Sequence, residues 1–213
     1  MMSGPPDFPP KLFVFLGASN LARGHIALAR CLQKSLYPRP ARFLFALGPG
    51  RGYCAAGGVM HMVYSPIKNS KVFSVIRENA EYEVVALVSD IGNDIMYNVS
   101  PGDITACLKK IFQQLRESNA LILAIPIPSG LETGLSNFSF LCLRSMFFPT
   151  SRVSRPQAVS AIRQINEFLQ ESVAEKIKLL SGLEEFSGWD KIHYSLWRGH
   201  FAWESIAQQI LQV

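Results

Sequence analysis

The chain has 213 residues, of which 48% are hydrophobic and 17% are charged, and its formal net charge is +5. These values exclude an intrinsically disordered chain and are typical of one globular domain with a full core. No apolar run reaches the roughly 18–20 residues of a membrane span, so we expect no integral membrane segment. The basic residues form no run of five or more, which argues against nucleic acid as a partner and fits equally well a surface that favours anionic substrates.

The cysteines and the first residues indicate the compartment. Residues 1–10 are rich in proline and lack a basic segment followed by an apolar one, so we expect a disordered arm and not a signal peptide. The cysteines have none of the short spacings of zinc sites, and we predict free thiols, no metal and no cofactor in a cytoplasmic protein. The cysteines are Cys31, Cys54, Cys107 and Cys142.

Strand-sized apolar segments alternate with helical patterns from residue 11 onward, which predicts a single domain over residues 11–213. Such alternation is typical of an α/β fold in which a parallel sheet of about five strands lies between two layers of helices. The predicted strands are 11–17, 42–47, 83–89, 121–125 and 176–180. The predicted helices are 21–36, 55–64, 73–79, 103–117, 156–169 and 201–211.

Residues 129–155 interrupt this pattern and are rich in large apolar side chains. The segment is too long for an ordinary connection between two elements. One interpretation, slightly favoured, is a short helix that covers an edge of the sheet. The other is a lid, or a wall that binds an acyl group.

Polar or glycine-rich segments follow three of the predicted strands. Ser19 follows the first strand, a loop with glycines at 48, 50 and 52 follows the second, and Asn93 follows the third. The carboxyl ends of parallel strands lie along one edge of a sheet, where open α/β sheets bind ligands. The alternatives are that Ser19 only caps the next helix and that Asn93 only forms a turn.

Asp190 and His193 are three residues apart near the C-terminus. On a helical turn this spacing lets the carboxylate hold the imidazole, although the two residues are also compatible with a solvated surface pair. A serine hydroxyl becomes nucleophilic when such an oriented base removes its proton. The backbone N–H groups of Ser19 and a glycine and the side-chain amide of Asn93 would then stabilise an oxyanion.

The sequence resembles the SGNH or GDSL-type hydrolases over residues 11–212. The matching motifs stand in the family's order along the chain. They are Gly17-Ala18-Ser19 with Gly24, the glycine loop, Gly92-Asn93-Asp94, and Asp190-x-x-His193 followed by Gly199 and a final helix.

The resemblance implies a flavodoxin-like α/β/α sandwich and hydrolysis of a small-molecule ester without a cofactor. Ser19 matches the nucleophile and first oxyanion donor, Asn93 the side-chain donor, His193 the general base and Asp190 the residue that orients it. For the glycine donor, Gly52 fits best by its distance from the strand end, and Gly50 is the rival.

We also predict that Asn20 and Arg51 bind substrate, Arg51 through a carboxylate or phosphate, unless Arg51 is a solvated loop charge. Asp94 is expected to bond to the Ser19 turn or to cap its own turn.

The family's Gly-Asp-Ser is Gly-Ala-Ser here, which supports the alternative of a non-catalytic binding protein with this fold. A further alternative is an interaction protein that uses residues 138–148 as a partner or membrane-surface patch. Acetyl esters, short acyl esters, thioesters and phospholipids all stay open as substrates, and so does the oligomeric state.

Overall fold

The structure is a computed structural model that describes residues 9–59 and 61–212. Its sheet has five parallel strands in the order β2-β1-β3-β4-β5. The strands are β1 (Lys11–Leu16), β2 (Ala41–Ala46), β3 (Glu83–Val88), β4 (Leu121–Ala124) and β5 (Ile177–Leu179). This flavodoxin-like order places the point where the winding of the sheet reverses between β1 and β3.

Helices follow the strands and cover both faces of the sheet. The α-helices are α1 (Ser19–Leu36), α2 (Val72–Glu78), α3 (Asn93–Met96), α4 (Pro101–Glu117), α5 (Gly130–Thr133), α6 (Asn137–Phe147), α7 (Arg155–Glu171) and α8 (Gly199–Leu211). Short 3-10 helices lie at Ile67–Asn69, Ser172–Glu175 and Glu184–Phe186. The predicted fold class, a three-layer α/β/α sandwich, is confirmed.

Alternate side chains of β1 pack into different layers. Phe13 and Phe15 join the core that contains buried residues of α1 and α8, whereas Val14 and Leu16 join the core beneath α2, α4 and α7. Each fully buried side chain of this size contributes roughly 1.5–3 kcal/mol to folding. The central strands therefore hold their carboxyl ends in a rigid, fully packed frame.

Two glycines of the predicted motifs are explained by backbone geometry. A Cβ atom at Gly24 would lie 1.8 Å from the Trp203 ring, so only glycine allows α1 and α8 to pack this closely. Gly50 has a φ angle of +72°, in the left-handed region that favours glycine. Gly24 therefore contributes to packing and Gly50 to the shape of a turn.

Most predicted elements agree with the structure to within a few residues, but the predicted helix over residues 55–64 is wrong. This segment is a loop in which the backbones of Gly57 and Tyr64 pair as an antiparallel bridge. Adjacent glycines at 57 and 58 disfavour a helix, and a Cβ atom at Gly58 would collide with the carbonyl oxygen of Met62. Of the predicted N-terminal arm, residues 1–8 lie outside the described residues. No helix among the described residues is both long and apolar enough to cross a bilayer.

Candidate active site

Ser19 lies at the first position of α1, directly after the turn that ends β1. Its Oγ atom is 2.8 Å from Nε2 of His193, a residue 174 positions away in the sequence. The serine therefore stands beside the β1/β3 reversal point with an imidazole in hydrogen-bond contact. This is the geometry in which a histidine can remove the hydroxyl proton.

Asp190 holds the imidazole of His193 from the other side. Its Oδ2 atom is 2.6 Å from Nδ1 of His193, and its Oδ1 atom accepts from the backbone N–H groups of Ile192 and His193. Burial by itself raises the pKa of Asp190, but the hydrogen bonds from His193 and Ile192 outweigh it and lower the pKa below its ordinary value. The carboxylate is thus kept charged where it orients the ring.

The Asp190–His193 segment is a turn and not part of a helix, contrary to the predicted helical turn. Gly188 donates to the carbonyl oxygen of His193 at 2.6 Å, and Lys191 adopts a positive φ of 61°. A bridge between Ser187 and Tyr194 closes the loop. The side chain of Asp190 supplies the turn's own hydrogen bonds, so the same carboxylate shapes the loop and orients the ring.

Three groups stand where an oxyanion could be stabilised near Ser19. The backbone N–H groups of Ser19 and Gly50 have no acceptor among the described residues, and Gly50 and Asn93 both line the cavity beside Ser19. The Asn93 amide donates one of its two hydrogens to the carbonyl oxygen of Arg51 at 3.2 Å. Gly52 instead faces Asp94, because a Cβ atom there would lie 2.6 Å from Oδ1 of that residue. As the glycine that donates its backbone N–H to the oxyanion, Gly50 is therefore favoured by the geometry over Gly52, the choice made from the sequence.

A cavity of about 220 Å³ extends from Ser19 and His193 towards α6 and α7. Its polar residues lie at the Ser19 end, apart from Arg144 on α6, and the remaining surface is mainly apolar. The 129–155 segment forms α5 and α6, and its side chains line this cavity. The apolar wall includes Ile125, Ile127, Leu135, Phe140, Phe147 and Phe148. The centroid of the Phe147 ring is 6.3 Å from that of His193, so the wall reaches the imidazole itself. This position fits the interpretation as a wall beside the site rather than the favoured one, a cover for the sheet edge.

Comparisons with known proteins identify the fold. No family model and no curated protein matches the sequence. Among solved structures, the native aryl esterase of M. smegmatis superposes with a TM-score of 0.62 at 11% identity, covering 95% of this chain and 99% of that one. TesA gives 0.57 at 17% identity, with 95% and 98% covered. AlinE4, an SGNH-hydrolase family esterase, gives 0.52 at 14% identity, with 95% and 96% covered.

The chain has an SGNH-type hydrolase fold. The likeness covers nearly the whole chain, as the resemblance of the sequence motifs does.

Asp90 is a functional candidate that the sequence analysis missed. The SGNH-type motif has an aspartate before the serine, where this chain has the fully buried Ala18. Here the Asp90 carboxylate comes from the end of β3 and accepts from the backbone N–H groups of Ala18, at 2.9 Å, and Leu21, at 3.1 Å. It therefore caps α1, whose own N-terminal residue provides no side-chain cap. The signal in the sequence was an acidic residue directly after a central strand.

Asn20 lines the cavity, but its amide is not free to bind substrate as predicted. Its amide donates to Oδ1 of Asp90 and to the carbonyl oxygen of Ile192, while its own oxygen accepts from Arg23 and from the backbone of Tyr194. These bonds use both donors and both acceptor positions of the amide. The buried side chain instead ties the Ser19 turn to the loop that carries His193.

Arg51, the other residue predicted to bind substrate, does not line the cavity beside Ser19 and is used within the protein. Its guanidinium donates to the carbonyl oxygens of Ser65, at 2.9 Å, and Leu47, at 3.3 Å. Burial lowers the pKa of Arg51, with smaller opposite contributions from Tyr53 and Tyr64. These contacts connect the glycine loop to the end of β2 and to the Ser65 region, and so stabilise its conformation.

Asp94 and Tyr53 support the same loop from the interior. The fully buried Asp94 accepts from the backbone N–H groups of Tyr53, Cys54 and Ala55, so it bonds to the glycine loop and not to the Ser19 turn. Burial raises the pKa of Asp94, although these hydrogen bonds act in the opposite direction. The Tyr53 hydroxyl lies 2.7 Å from the carbonyl oxygens of both Leu16 and Ser89, which joins the ends of β1 and β3.

Metal-ligating side chains do not gather in this part of the molecule. Within residues 9–59 and 61–212, no three His, Cys, Asp or Glu side chains form a group that could hold a metal ion.

Proposed function

We propose that this protein is a serine ester hydrolase that works through an acyl-enzyme intermediate. The observation that carries the proposal is the continuous chain of hydrogen bonds from Ser19 Oγ to His193 and from His193 to Asp190, at the mouth of an apolar cavity. The resemblance of the sequence motifs to SGNH-type hydrolases supports the same assignment, because it matches these residues to a nucleophile, a general base and the residue that orients the base. The solved neighbours include proteins described as aryl esterase and acetyl xylan esterase, which supports the same class of reaction.

In the first half of the reaction, His193 takes the hydroxyl proton of Ser19 while Oγ attacks the ester carbonyl carbon. The negative charge that develops on the carbonyl oxygen is stabilised by the N–H groups of Ser19 and Gly50 and by the free hydrogen of the Asn93 amide. Asp190 stabilises the imidazolium that forms. The tetrahedral intermediate collapses when the bond to the alcohol breaks and His193 gives its proton to the departing oxygen.

In the second half, a water molecule attacks the acyl-serine. His193 takes a proton from the water, the same donors stabilise the second oxyanion, and the acid leaves as His193 returns the proton to Ser19 Oγ. The mainly apolar cavity favours an acyl or aryl group of low polarity close to the ester.

The test is labelling with a fluorophosphonate probe, read as the mass of the intact protein. We expect one adduct on the wild type and none on Ser19→Ala or His193→Ala, because the probe reacts only with an activated serine. Ser74→Ala, which removes the hydroxyl of a half-buried serine on α2, is the matched control and should label like the wild type.

A wild-type protein that stays unlabelled, or that is labelled to the same extent after Ser19→Ala, would contradict the proposal. The first of these results would favour the alternative of a non-catalytic binding protein with this fold. If the wild type is labelled, a panel of neutral esters is then assayed on fresh, unlabelled protein, with both variants as controls.

A further inference from the structure

Arg144 is a cationic side chain in the wall of the otherwise largely apolar cavity. It lies on α6, three residues before Phe147, whose ring contacts His193. Residues three apart on a helix share a face with roughly 5–6 Å between their Cβ atoms. Arg144 therefore lies on the same side of α6 as Phe147, which meets the candidate general base.

The guanidinium of Arg144 is only partly satisfied. Its Nη1 atom donates to the carbonyl oxygen of Val153 at 3.0 Å, and this is its one hydrogen bond with the described residues. Its Nε atom is buried and has no hydrogen-bond partner there. A buried donor without a partner costs free energy, and in a folded protein it calls for an explanation such as a bound group.

No described carboxylate neutralises Arg144. It forms no ion pair with residues 9–59 or 61–212, and the two acids that line the cavity are already occupied. Asp90 accepts from the Ser19 turn and from Asn20, while Asp190 accepts from His193 and Ile192. The cavity therefore contains a positive charge whose counter-charge the described residues do not supply.

The geometry of the unpaired atoms indicates the kind of group that would fit. Nη1 is used by Val153, whereas the edge of the guanidinium that carries Nε and Nη2 makes no hydrogen bond with the described residues. Two parallel N–H donors on one edge match the two oxygens of a carboxylate, which a lysine or a single amide cannot match.

We propose, on the basis of the esterase function above, that the substrate is an ester that also carries a carboxylate, and that Arg144 binds this carboxylate. The apolar residues between Ser19 and Arg144 contact the hydrocarbon that joins the two groups. The carboxylate belongs either to the acyl part, as in a monoester of a dicarboxylic acid, or to the alcohol part.

The test compares matched esters that differ only in the carboxylate. For the acyl side, the pair is 4-nitrophenyl hexanoate and the mono-4-nitrophenyl ester of hexanedioic acid. For the alcohol side, the pair is the hexanoate ester of 4-hydroxybenzamide and that of 4-hydroxybenzoate. The quantity measured is the ratio of kcat/KM for the anionic ester to kcat/KM for the neutral one.

In the wild type we expect this ratio to exceed about 10 in one of the two pairs, as a charge-assisted bidentate contact predicts. Arg144→Gln should lower the ratio at least about tenfold. Arg144→Lys keeps the positive charge but lacks the paired N–H donors of the guanidinium, so it should give an intermediate value. Arg152→Gln removes the same charge from a neighbouring exposed side chain and should leave the ratio unchanged. Equal ratios in the wild type and Arg144→Gln for both pairs would overturn the proposal.

Binding to the Ser19→Ala protein separates this proposal from the proposed function. Calorimetry with the same esters should show about tenfold weaker binding of the anionic ester when Arg144→Gln is added. If neutral esters are hydrolysed but neither the ratio nor the binding responds to Arg144, only the carboxylate proposal fails. If the anionic ester binds through Arg144 but no ester is hydrolysed, the carboxylate-binding role of Arg144 is retained and the proposed hydrolase function is rejected.

Discussion

The two sides of the cavity differ in how the chain holds them. At the polar side, Ser19, Asp90 and His193 are connected by hydrogen bonds between residues about 70 to 174 positions apart in the sequence. The opposite wall includes part of α6, a helix of 11 residues whose outer face exposes Phe138 and Met146. The polar side is fixed by many directional bonds, whereas the apolar wall depends mainly on non-directional packing.

This difference suits the two sides of the cavity to different roles, the polar side to the reaction and the apolar wall to the choice of ester. A reacting group that moves by about 1 Å loses much of its rate, so a dense set of hydrogen bonds at Ser19 and His193 is what catalysis needs. An apolar wall tolerates changes of side-chain shape at moderate cost. Substitutions on the polar side should therefore change kcat, and substitutions in α6 should change which ester is preferred.

The largest effect is expected for Asp190→Asn. The amide no longer stabilises the imidazolium or selects the ring's orientation, so kcat should fall by about 10²–10⁴-fold. Steady-state kinetics with the best neutral ester measure the change. Glu185→Gln, which neutralises an exposed carboxylate of the same C-terminal region, is the control. A loss smaller than tenfold would mean that Asp190 only shapes its loop.

Asp90→Asn should have the next largest effect. An amide oxygen accepts the N–H groups of Ala18 and Leu21 more weakly, so the Ser19 turn shifts and kcat should fall by about 10- to 100-fold with little change in KM. The free energy of unfolding should also fall, by about 1–3 kcal/mol.

Asp103→Asn is the matched control for Asp90. Asp103 lies in the exposed first turn of α4, where it interacts with Ser100, and it does not line the cavity. The Asp103→Asn substitution should leave kcat unchanged. Stability loss without a change in kcat would limit Asp90 to a structural role.

The pH dependence should show one acid limb. A general base must be unprotonated to take the serine proton, so kcat/KM should fall about tenfold per pH unit on the acid side. Hydrogen bonds from His193 and Ile192 lower the pKa of Asp190, so this carboxylate stays ionised above that limb. A profile of kcat/KM from pH 4 to 9 checks this, and a second acid limb within that range would contradict it.

Phe147→Ala tests the wall. Loss of the ring opens the cavity beside His193, and we expect the preference between a two-carbon and a six-carbon acyl ester to change by about three- to tenfold. Met146→Ala, on the exposed outer side of α6, is the control. An equal fall of kcat for both esters would instead show that Phe147 positions the imidazole.

The smallest effect on hydrolysis is expected for Phe138→Ser, because this side chain is 78% exposed and does not line the cavity. The rate should change less than about twofold, as for most surface substitutions. Liposome flotation and light scattering before and after the substitution test the alternative that residues 138–148 form a partner or membrane-surface patch. Binding that disappears with Phe138→Ser would support that alternative.

The fold and the residue types of the candidate site were accessible from sequence because they depend on local patterns. Apolar segments of strand length alternate with helical periodicity, and parallel strands must then place Ser19 and Asn93 at one edge. The spacing of Asp190 and His193 predicted that they interact, but it did not predict the non-helical turn on which they lie. The prediction over residues 55–64 failed because hydrophobicity resembled a helix while glycines 57 and 58 and a backbone bridge formed a loop.

By itself, the sequence determined the order of strands and helices, since hydrophobic periodicity and turn residues act over a few positions. Only the tertiary structure decided which polar side chains face the cavity. It turned Arg51 towards backbone carbonyls, left Arg144 Nε without a hydrogen-bond partner among the described residues, and brought Asp90 to the turn that lacks its own aspartate. These outcomes depend on contacts between residues tens of positions apart, which no local pattern encodes.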